Sequence, residues 1–429
     1  MTALILSLFF LLTAIGLPLG FMLGLTALAG FHKLGNPVFL TMLSQKFFSG
    51  MNSYTFLALP LFLLAGDIMN KVGLTERIVN FSNIFFGRLR GGLAQVNIVS
   101  SIIFGGISGS AVADTAALGS VFIPSMEKEG YGRPFSAAIT AASSIIAPII
   151  PPSIIMVIYG GLMGVSIAGL FAAGIVPGLM IGFGLMLATR FISRSRQYPQ
   201  HAIPFTVKNV TRGTREALWA LMMPAIILGG ILGGIFTPTE AAAVAVAYAL
   251  FVGFVVYRNL TLKDLYSLLL RNAIMLGVII LILSAAAVLG WLLAIEQLPQ
   301  KAAAGITALT ENKYIILLLI NLFLIMVGML MDIMASLIIL APVLGPVAVA
   351  IGVDPLHFGI MMCVNLSIAL ITPPMGGCLF AAMVVGNVSF AEIVKEVFPF
   401  ILVELSVLVL IIFVPEITMI VPRLLGFVQ

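Results

Sequence analysis

The sequence predicts an all-α polytopic membrane protein built from two inverted repeats, each holding a re-entrant hairpin and a proline-broken helix. Three observations carry that fold class. Of 429 residues, 61% are hydrophobic and 9% charged, against about 25% charged in a soluble domain, and the mean hydropathy is +1.21. The apolar stretches recur in blocks of about 20 residues, the length a helix needs to cross about 30 Å of hydrocarbon, and no ten-residue alternation of a membrane barrel is present. The chain also matches itself at an offset of 222 residues. A soluble enzyme, a disordered chain and a secreted domain are excluded together, and helices are the default way to satisfy backbone groups in lipid.

Nine full crossings are expected, near residues 3–31, 52–70, 135–164, 166–192, 217–235, 239–257, 273–296, 356–386 and 398–421. The first is longer than a signal-peptide core and has no charged leader, so it reads as a retained span. Two more apolar stretches, 93–126 and 314–352, are interrupted by Gly105 to Asp114 and by Gly328 to Asp332, and read as hairpins. Segments 73–90 and 297–312 are mixed and fit interfacial arms. Residues 32–51 fit neither pattern. On this topology sixteen of the 21 Lys and Arg fall on the N-terminal side and five on the other. That asymmetry places the N-terminus in the cytoplasm and the C-terminus in the periplasm. The net charge of +5 is then an orientation signal, not a sign of nucleic acid.

The repeat aligns Ala147, Pro151, Pro152 and Pro177 with Ala369, Pro373, Pro374 and Pro399. It also aligns Gly106, Ala113 and Pro124 with Gly328, Ala335 and Pro346, and Ser110 with Asp332. The first spans of the two halves are the second and seventh crossings, so the halves have opposite orientation. Backbone groups freed inside a membrane survive where they line a wet or ion-filled cavity. Tandem proline removes amide donors, and glycine lets an ion approach the backbone. Hydroxyls, amide oxygens and freed carbonyls suit a hard cation such as Na⁺. Each hairpin tip facing its broken helix is therefore a candidate sodium site. Asp114 and Asp332 are carboxylates at membrane depth, which are costly and mark function, and Asp114 also fits the favourable first turn of a helix.

Other polar groups read more plainly. Thr237-Pro238-Thr239-Glu240 has the pattern of a capping box with Pro at the first helical position. Cys363 and Cys378 sit 15 residues apart with no metal-ligand spacing. His32, His201 and His357 are scattered, and Asp67 and Glu404 have no partner visible in the sequence. Gly106-Ile107-Ser108-Gly109 matches the G-x-S-G of intramembrane rhomboid-type serine proteases, but that chemistry needs a histidine within reach of the serine. Only His357 begins an apolar segment, on the opposite face. A channel would need charged or carbonyl rings along a pore, so a carrier fits better and no enzyme is expected.

At these residues the chain resembles the large membrane subunit of tripartite ATP-independent periplasmic (TRAP) transporters. The motifs are Ala58-Leu59-Pro60 with Ala65-Gly66-Asp67, Arg90-Gly91-Gly92-Leu93, Ser108 to Thr115, Ala147 to Pro152, Gly174 to Gly178, Thr237 to Glu240 and Ile371 to Pro374. The resemblance implies a sodium-driven, elevator-type importer of organic acids such as sialic acid or C4-dicarboxylates, in the bacterial inner membrane and in contact with lipid. It implies a periplasmic binding protein and a small membrane subunit, which some relatives carry fused at the N-terminus and which is expected here as a separate chain. It implies one Na⁺ at Ser108, Ser110, Ser144 and the backbone at Ile150 and Pro151, supported by Asp114, and a second at Gly328, Asp332, Asn365, Thr372 and Gly376. The organic anion would lie between the tips, at Gly109, Ser153, Pro374 and Gly377, with no organic cofactor. In the elevator arrangement 1–72 and 217–296 form the scaffold, 73–90 and 297–313 the arms, 193–216 a basic linker, and 91–192 and 314–429 the transport domain. The alternative is a stand-alone Na⁺ or H⁺ symporter of similar build that takes its anion directly from solution.

Overall fold

The structure is a computed structural model describing residues 2–199, 206–307, 310 and 312–428. Five helices precede the first repeat: α1 (Thr2–Ala14), α2 (Leu19–Leu34), α3 (Pro37–Met51), α4 (Ala58–Lys71) and α5 (Leu74–Phe86). The first repeat contains α6 (Gly92–Ser108), α7 (Ala111–Lys128), α8 (Arg133–Ser144), α9 (Ile154–Met163) and α10 (Ile167–Ser195). Four helices then intervene: α11 (Val207–Leu232), α12 (Pro238–Phe251), α13 (Leu262–Ile295) and α14 (Leu298–Thr307). The second repeat contains α15 (Lys313–Gly328), α16 (Ile333–Ala350), α17 (Pro355–Ala369), α18 (Gly377–Gly386) and α19 (Phe390–Phe413), followed by α20 (Glu416–Leu424).

The offset of 222 found in the sequence holds for the helix boundaries. It carries both ends of α7 onto both ends of α16, the start of α8 onto the start of α17, and α9 and α10 to within one residue of the starts of α18 and α19. The arm α5 maps onto α14, and α4 maps inside α13. Both tandem prolines, Pro151-Pro152 and Pro373-Pro374, have a cis peptide bond. Each half therefore has a hairpin, a helix broken at proline and a long closing helix.

The first segments of the broken helices, α8 and α17, are almost wholly buried. Every residue of α17 from Leu356 onward is buried, as is every residue of α8 from Phe135 onward. Against α8 pack α7, α18 and α19, and against α17 pack α10, α15, α16 and α19. A second set packs separately, with α13 against α2 and α3 and α12 against α4. The arm α5 lies between α11 and α6, and α16 reaches across to α13. Large apolar side chains such as Phe183, Phe191 and Ile274 remain exposed, as a lipid-facing surface requires.

Five of the nine expected crossings are single long apolar helices: α10, α11, α12 with its π turn at Val252–Val256, α13 and α19. The other four are assembled from shorter helices in series. The expected breaks in 135–164 and 356–386 are present. The span expected at 3–31 is in fact two helices, because Gly16 adopts φ +78 and Pro18 cannot donate. The span expected at 52–70 is α4, bent by 47° from the ambiguous segment that forms α3. The last span starts earlier than expected and stops at Val414-Pro415, leaving α20 as a separate helix. The basic linker is shorter than 193–216, since α10 runs through Ser195 and Thr206 caps α11. Residues 200–205, with His201, lie outside the described residues, as do Met1 and Gln429. Helix α16, expected as a hairpin arm, is by length and composition alone also long enough to cross.

Candidate functional site between the hairpin tips

The first tip forms where α6 ends at Ser108 and α7 begins at Ala111. Gly109 turns the chain with φ +59, and a Cβ there would fall 2.8 Å from the Pro152 carbonyl oxygen. At Gly105 a Cβ would meet Ala147 Cα at 2.7 Å. Only glycine permits both the left-handed turn and this approach, so the hairpin tip rests directly on the tandem-proline loop. Ser110 is the N-cap of α7, its Oγ accepting from the Ala113 N–H at 3.4 Å, and the Ser110 N–H donates to Ser108 Oγ at 3.4 Å. Ser153 caps α9, but its hydroxyl donates to the Pro148 carbonyl and is fully buried. The carbonyls nearest the tip are those of Pro151 and Pro152.

Asp114 sits one turn behind the tip with no exposed surface. Its Oδ2 accepts from Ser101 at 2.9 Å, and the same serine hydroxyl lies 3.0 Å from Ser143 Oγ. Ser144 donates to the Thr140 carbonyl at 2.7 Å, and Asn97 donates to Thr140 Oγ1 at 2.6 Å. The carboxylate therefore ties α6, α7 and α8 together, and Oδ1 is left without a hydrogen-bond partner.

The second tip follows the same plan with different side chains. Gly328 ends α15, where a Cβ would meet Ala369 Cβ at 2.6 Å. Asp332 is the N-cap of α16, its Oδ2 accepting from the Met334 N–H at 2.9 Å. Behind it, Asn365 on α17 donates to both the carbonyl and Oδ1 of Asn321 on α15, at 2.9 and 2.8 Å. Asn365 Oδ1 is buried without a partner. Thr372 donates to the Ile368 carbonyl at 2.8 Å. Gly376 adopts φ +61 beneath the Leu370 carbonyl, 2.9 Å from where its Cβ would stand.

Between the tips lies a cavity of about 550 Å³, lined by Gly109, Ser110, Asp332 and the first turns of α7 and α16. Met275, Val278, Ile279 and Ile282 of α13 close it. Its size suits a small organic ligand. Two helix N-termini face it, where negative charge is favoured, and no basic side chain lines it. Ser110 and Asp332 are thus brought to one cavity, with Gly109. Asp114, Ser144 and Asn365 stand behind its walls, and Ser153, Pro374 and Gly377 lie outside its lining. Sequence reasoning missed Asn97, Ser101, Thr140 and Asn321. The available signal was Asn97 and Ser101 four residues apart on one helix face.

Of the other polar groups the sequence singles out, Glu240, Asp67 and His357 have partners and Glu404 has none. Thr237 and Glu240 form the expected capping box. Asp67 accepts from Asn272 at 2.9 Å, joining α4 to α13. His357 Nδ1 lies 2.6 Å from Thr418 Oγ1. Glu404, on α19, is fully buried and has no hydrogen-bond partner at either oxygen.

Inverted halves, broken helices and a cavity at their meeting point define a secondary membrane transporter. The family described as "Tripartite ATP-independent periplasmic transporter, DctM component" matches residues 6–417. The chain belongs to that family, which works with a small membrane subunit and a periplasmic binding protein. It is 41% identical over 420 residues to the sialic acid TRAP transporter large permease protein SiaM of Vibrio cholerae, covering 96% of this chain and 97% of that one. It is 37% identical to the C4-dicarboxylate large permease DctM of Pseudomonas aeruginosa, covering 92% of both. The isethionate permease DctMQ of Oleidesulfovibrio alaskensis is 40% identical over 96% of this chain but only 65% of its own length. Among solved structures, the YdaH transporter of Alcanivorax borkumensis superposes with a TM-score of 0.58 at 16% identity, over 90% of this chain and 88% of that one. That likeness concerns the fold.

Proposed function

We propose that the chain imports an organic-acid anion across the bacterial inner membrane, coupled to sodium, with the anion seated in the cavity between the tips. The observation that carries this is Asp332. It presents a carboxylate to a cavity that no basic side chain lines, so an anion entering there meets like charge unless a cation accompanies it. The unpartnered oxygens Asp114 Oδ1 and Asn365 Oδ1 are hard oxygen donors of the kind Na⁺ takes, one behind each tip. Bound there, sodium would supply the missing positive charge. Ser108, Ser110, Ser144 and the Pro151 backbone would complete one site, and Gly328, Thr372 and Gly376 the other.

The cargo is of the sialic acid or C4-dicarboxylate class, the anions for which two relatives are named. It is delivered by a periplasmic binding protein. The chain works with a small membrane subunit, as the family does; the isethionate relative is a longer protein, of which this chain covers 65%. The packing of α7, α8, α18 and α19 as one group and α2, α3, α12 and α13 as another suits an elevator, in which the hairpins and broken helices slide past the scaffold while α5 and α14 act as arms. The distribution of basic residues supports a cytoplasmic N-terminus and a periplasmic C-terminus. Uptake of labelled sialic acid or C4-dicarboxylate into proteoliposomes holding the chain and its small subunit tests this. Transport needing both Na⁺ and a binding protein supports it, and Na⁺-dependent uptake without a binding protein would replace it with the stand-alone symporter.

A further inference from the structure

The Arg90-Gly91-Gly92 segment has no part in the transport reading, yet it anchors two adjoining basic cavities. It joins the arm α5 to α6 and lies beside the basic end of α10. One cavity of about 390 Å³ is lined by Arg88, Arg90, Gln95, Phe183, Leu187 and Arg190 among others. An adjoining one of about 540 Å³ is lined by Arg90, Ser193, Arg194, Gln197 and Tyr198. Four arginines line the pair and no acidic side chain does.

Two polar atoms buried in these walls lack partners. Gln95 is 2% exposed, and its Nε2 donates to the Met186 carbonyl at 2.9 Å while its Oε1 receives nothing. Ser193 is 1% exposed and its Oγ is likewise unpaired. That hydroxyl lies against Gly91, where a Cβ would fall 2.2 Å from it and where φ is +74. Glycine is required there so that Ser193 can stand beside the uncapped start of α6. Buried polar atoms left in this state are costly unless a ligand or ordered water completes them.

The chemistry selects the ligand. Arginines and the start of a helix call for an oxyanion, with phosphate the best match to the guanidinium fork. Gln95 Oε1 can only accept, so it calls for a hydroxyl or ammonium donor beside that phosphate. The walls away from the arginines are apolar and open: Phe183 is 64% exposed and Leu187 41%, on a helix long and apolar enough to cross the membrane. A free phosphate would leave them bare, whereas an acyl chain covers them.

We propose that the junction of α5, α6 and α10 is a binding site for an acidic phospholipid with hydroxyls on its headgroup, of the phosphatidylglycerol type. Its phosphate lies among Arg90, Arg190 and Arg194, its headgroup hydroxyls against Gln95 and Ser193, and one chain along Phe183 and Leu187. Basic pockets between membrane helices are the usual place for such headgroups. The lipid would tie the arm α5 to α10.

The full-length chain, purified in its membrane complex, is titrated in neutral detergent with phosphatidylglycerol or phosphatidylcholine, and binding is read as thermal stabilisation and by native mass spectrometry. Phosphatidylglycerol is expected to bind and phosphatidylcholine not. Arg90→Gln with Arg190→Gln should weaken that binding by about 5-fold per arginine, the value of one basic residue near an anionic surface. Lys208→Gln with Lys263→Gln, which removes equal charge elsewhere, should leave it unchanged. Ser193→Ala keeps every charge and should weaken it about 3- to 10-fold, one hydrogen bond's worth. Equal weakening by the lysine pair, or none by the arginine pair, would overturn the site. Full competition by glycerol 3-phosphate would make it a site for a soluble anion, and loss of a co-purifying protein in place of lipid would make it a protein interface; either result refutes the lipid assignment.

Discussion

Replacing Gly109 by Ala tests whether the contact between the first tip and the proline loop belongs to the working site. Two costs add. A side chain in the left-handed region costs about 1 kcal/mol, and a Cβ 2.8 Å from the Pro152 oxygen forces overpacking worth about 1–3 kcal/mol. Together they shift the tip away from its docked state by about 2–4 kcal/mol. If docking precedes binding, the half-saturating concentration of sodium rises by the same factor, between about 30-fold and several hundred-fold. Gly164→Ala separates the two costs, because Gly164 has φ +66 and nothing within 4 Å of its Cβ position. That variant should pay only the backbone cost, about 1 kcal/mol, and leave sodium dependence near wild type. The assay is initial uptake rate against sodium concentration in proteoliposomes, with melting temperature measured alongside. Wild-type sodium dependence in Gly109→Ala would remove the tip contact from the site, and equal effects of both substitutions would show that the close approach carries no weight.

Asp332→Asn keeps the α16 cap but removes the charge, and is expected to weaken the sodium dependence of uptake; unchanged dependence takes Asp332 out of the ion site. Asp114→Ala should remove the acceptor that ties α7 to Ser101 of α6, leaving that hydroxyl only Ser143 Oγ at 3.0 Å, and lower stability by about 1–3 kcal/mol, read as a drop in melting temperature, while Ser120→Ala on the exposed face of α7 should not. Asn321→Ala and Asn365→Ala should be non-additive, with a coupling of about 0.5–3 kcal/mol in a double-mutant cycle; additivity would show that their hydrogen bonds do not form.

Most of the architecture was readable from the chain because it is written twice. An offset detected from prolines and glycines predicts where α16 starts and stops from where α7 does. Hydropathy alone did worse. It counts apolar residues without weighing backbone breaks, so 3–31 and 398–421 read as continuous although Gly16 with Pro18 and Val414 with Pro415 interrupt them; membrane helices tolerate both residue types, which makes the signal ambiguous. The basic linker 193–216 is longer than the structure's for the opposite reason, since Arg194, Lys208, Arg212 and Arg215 look like loop but sit on the end of α10 and the start of α11, where long cationic side chains reach the interface. At the site, the cavity-facing pair Ser110 and Asp332 came from the repeat. Ser101 and Asn321 did not, because each matters only through a partner on another helix, and that pairing exists only once the hairpin is folded against its broken helix.

The N-caps Ser110 and Asp332 do the same backbone job, and for that job either oxygen suffices. The negative charge at 332 is therefore surplus to folding. The offset that relates the two halves carries a neutral hydroxyl onto a carboxylate at the cavity wall itself. The caps match there and the charges do not, so in the elevator proposed above the two end positions of the transport domain would be free to differ in energy.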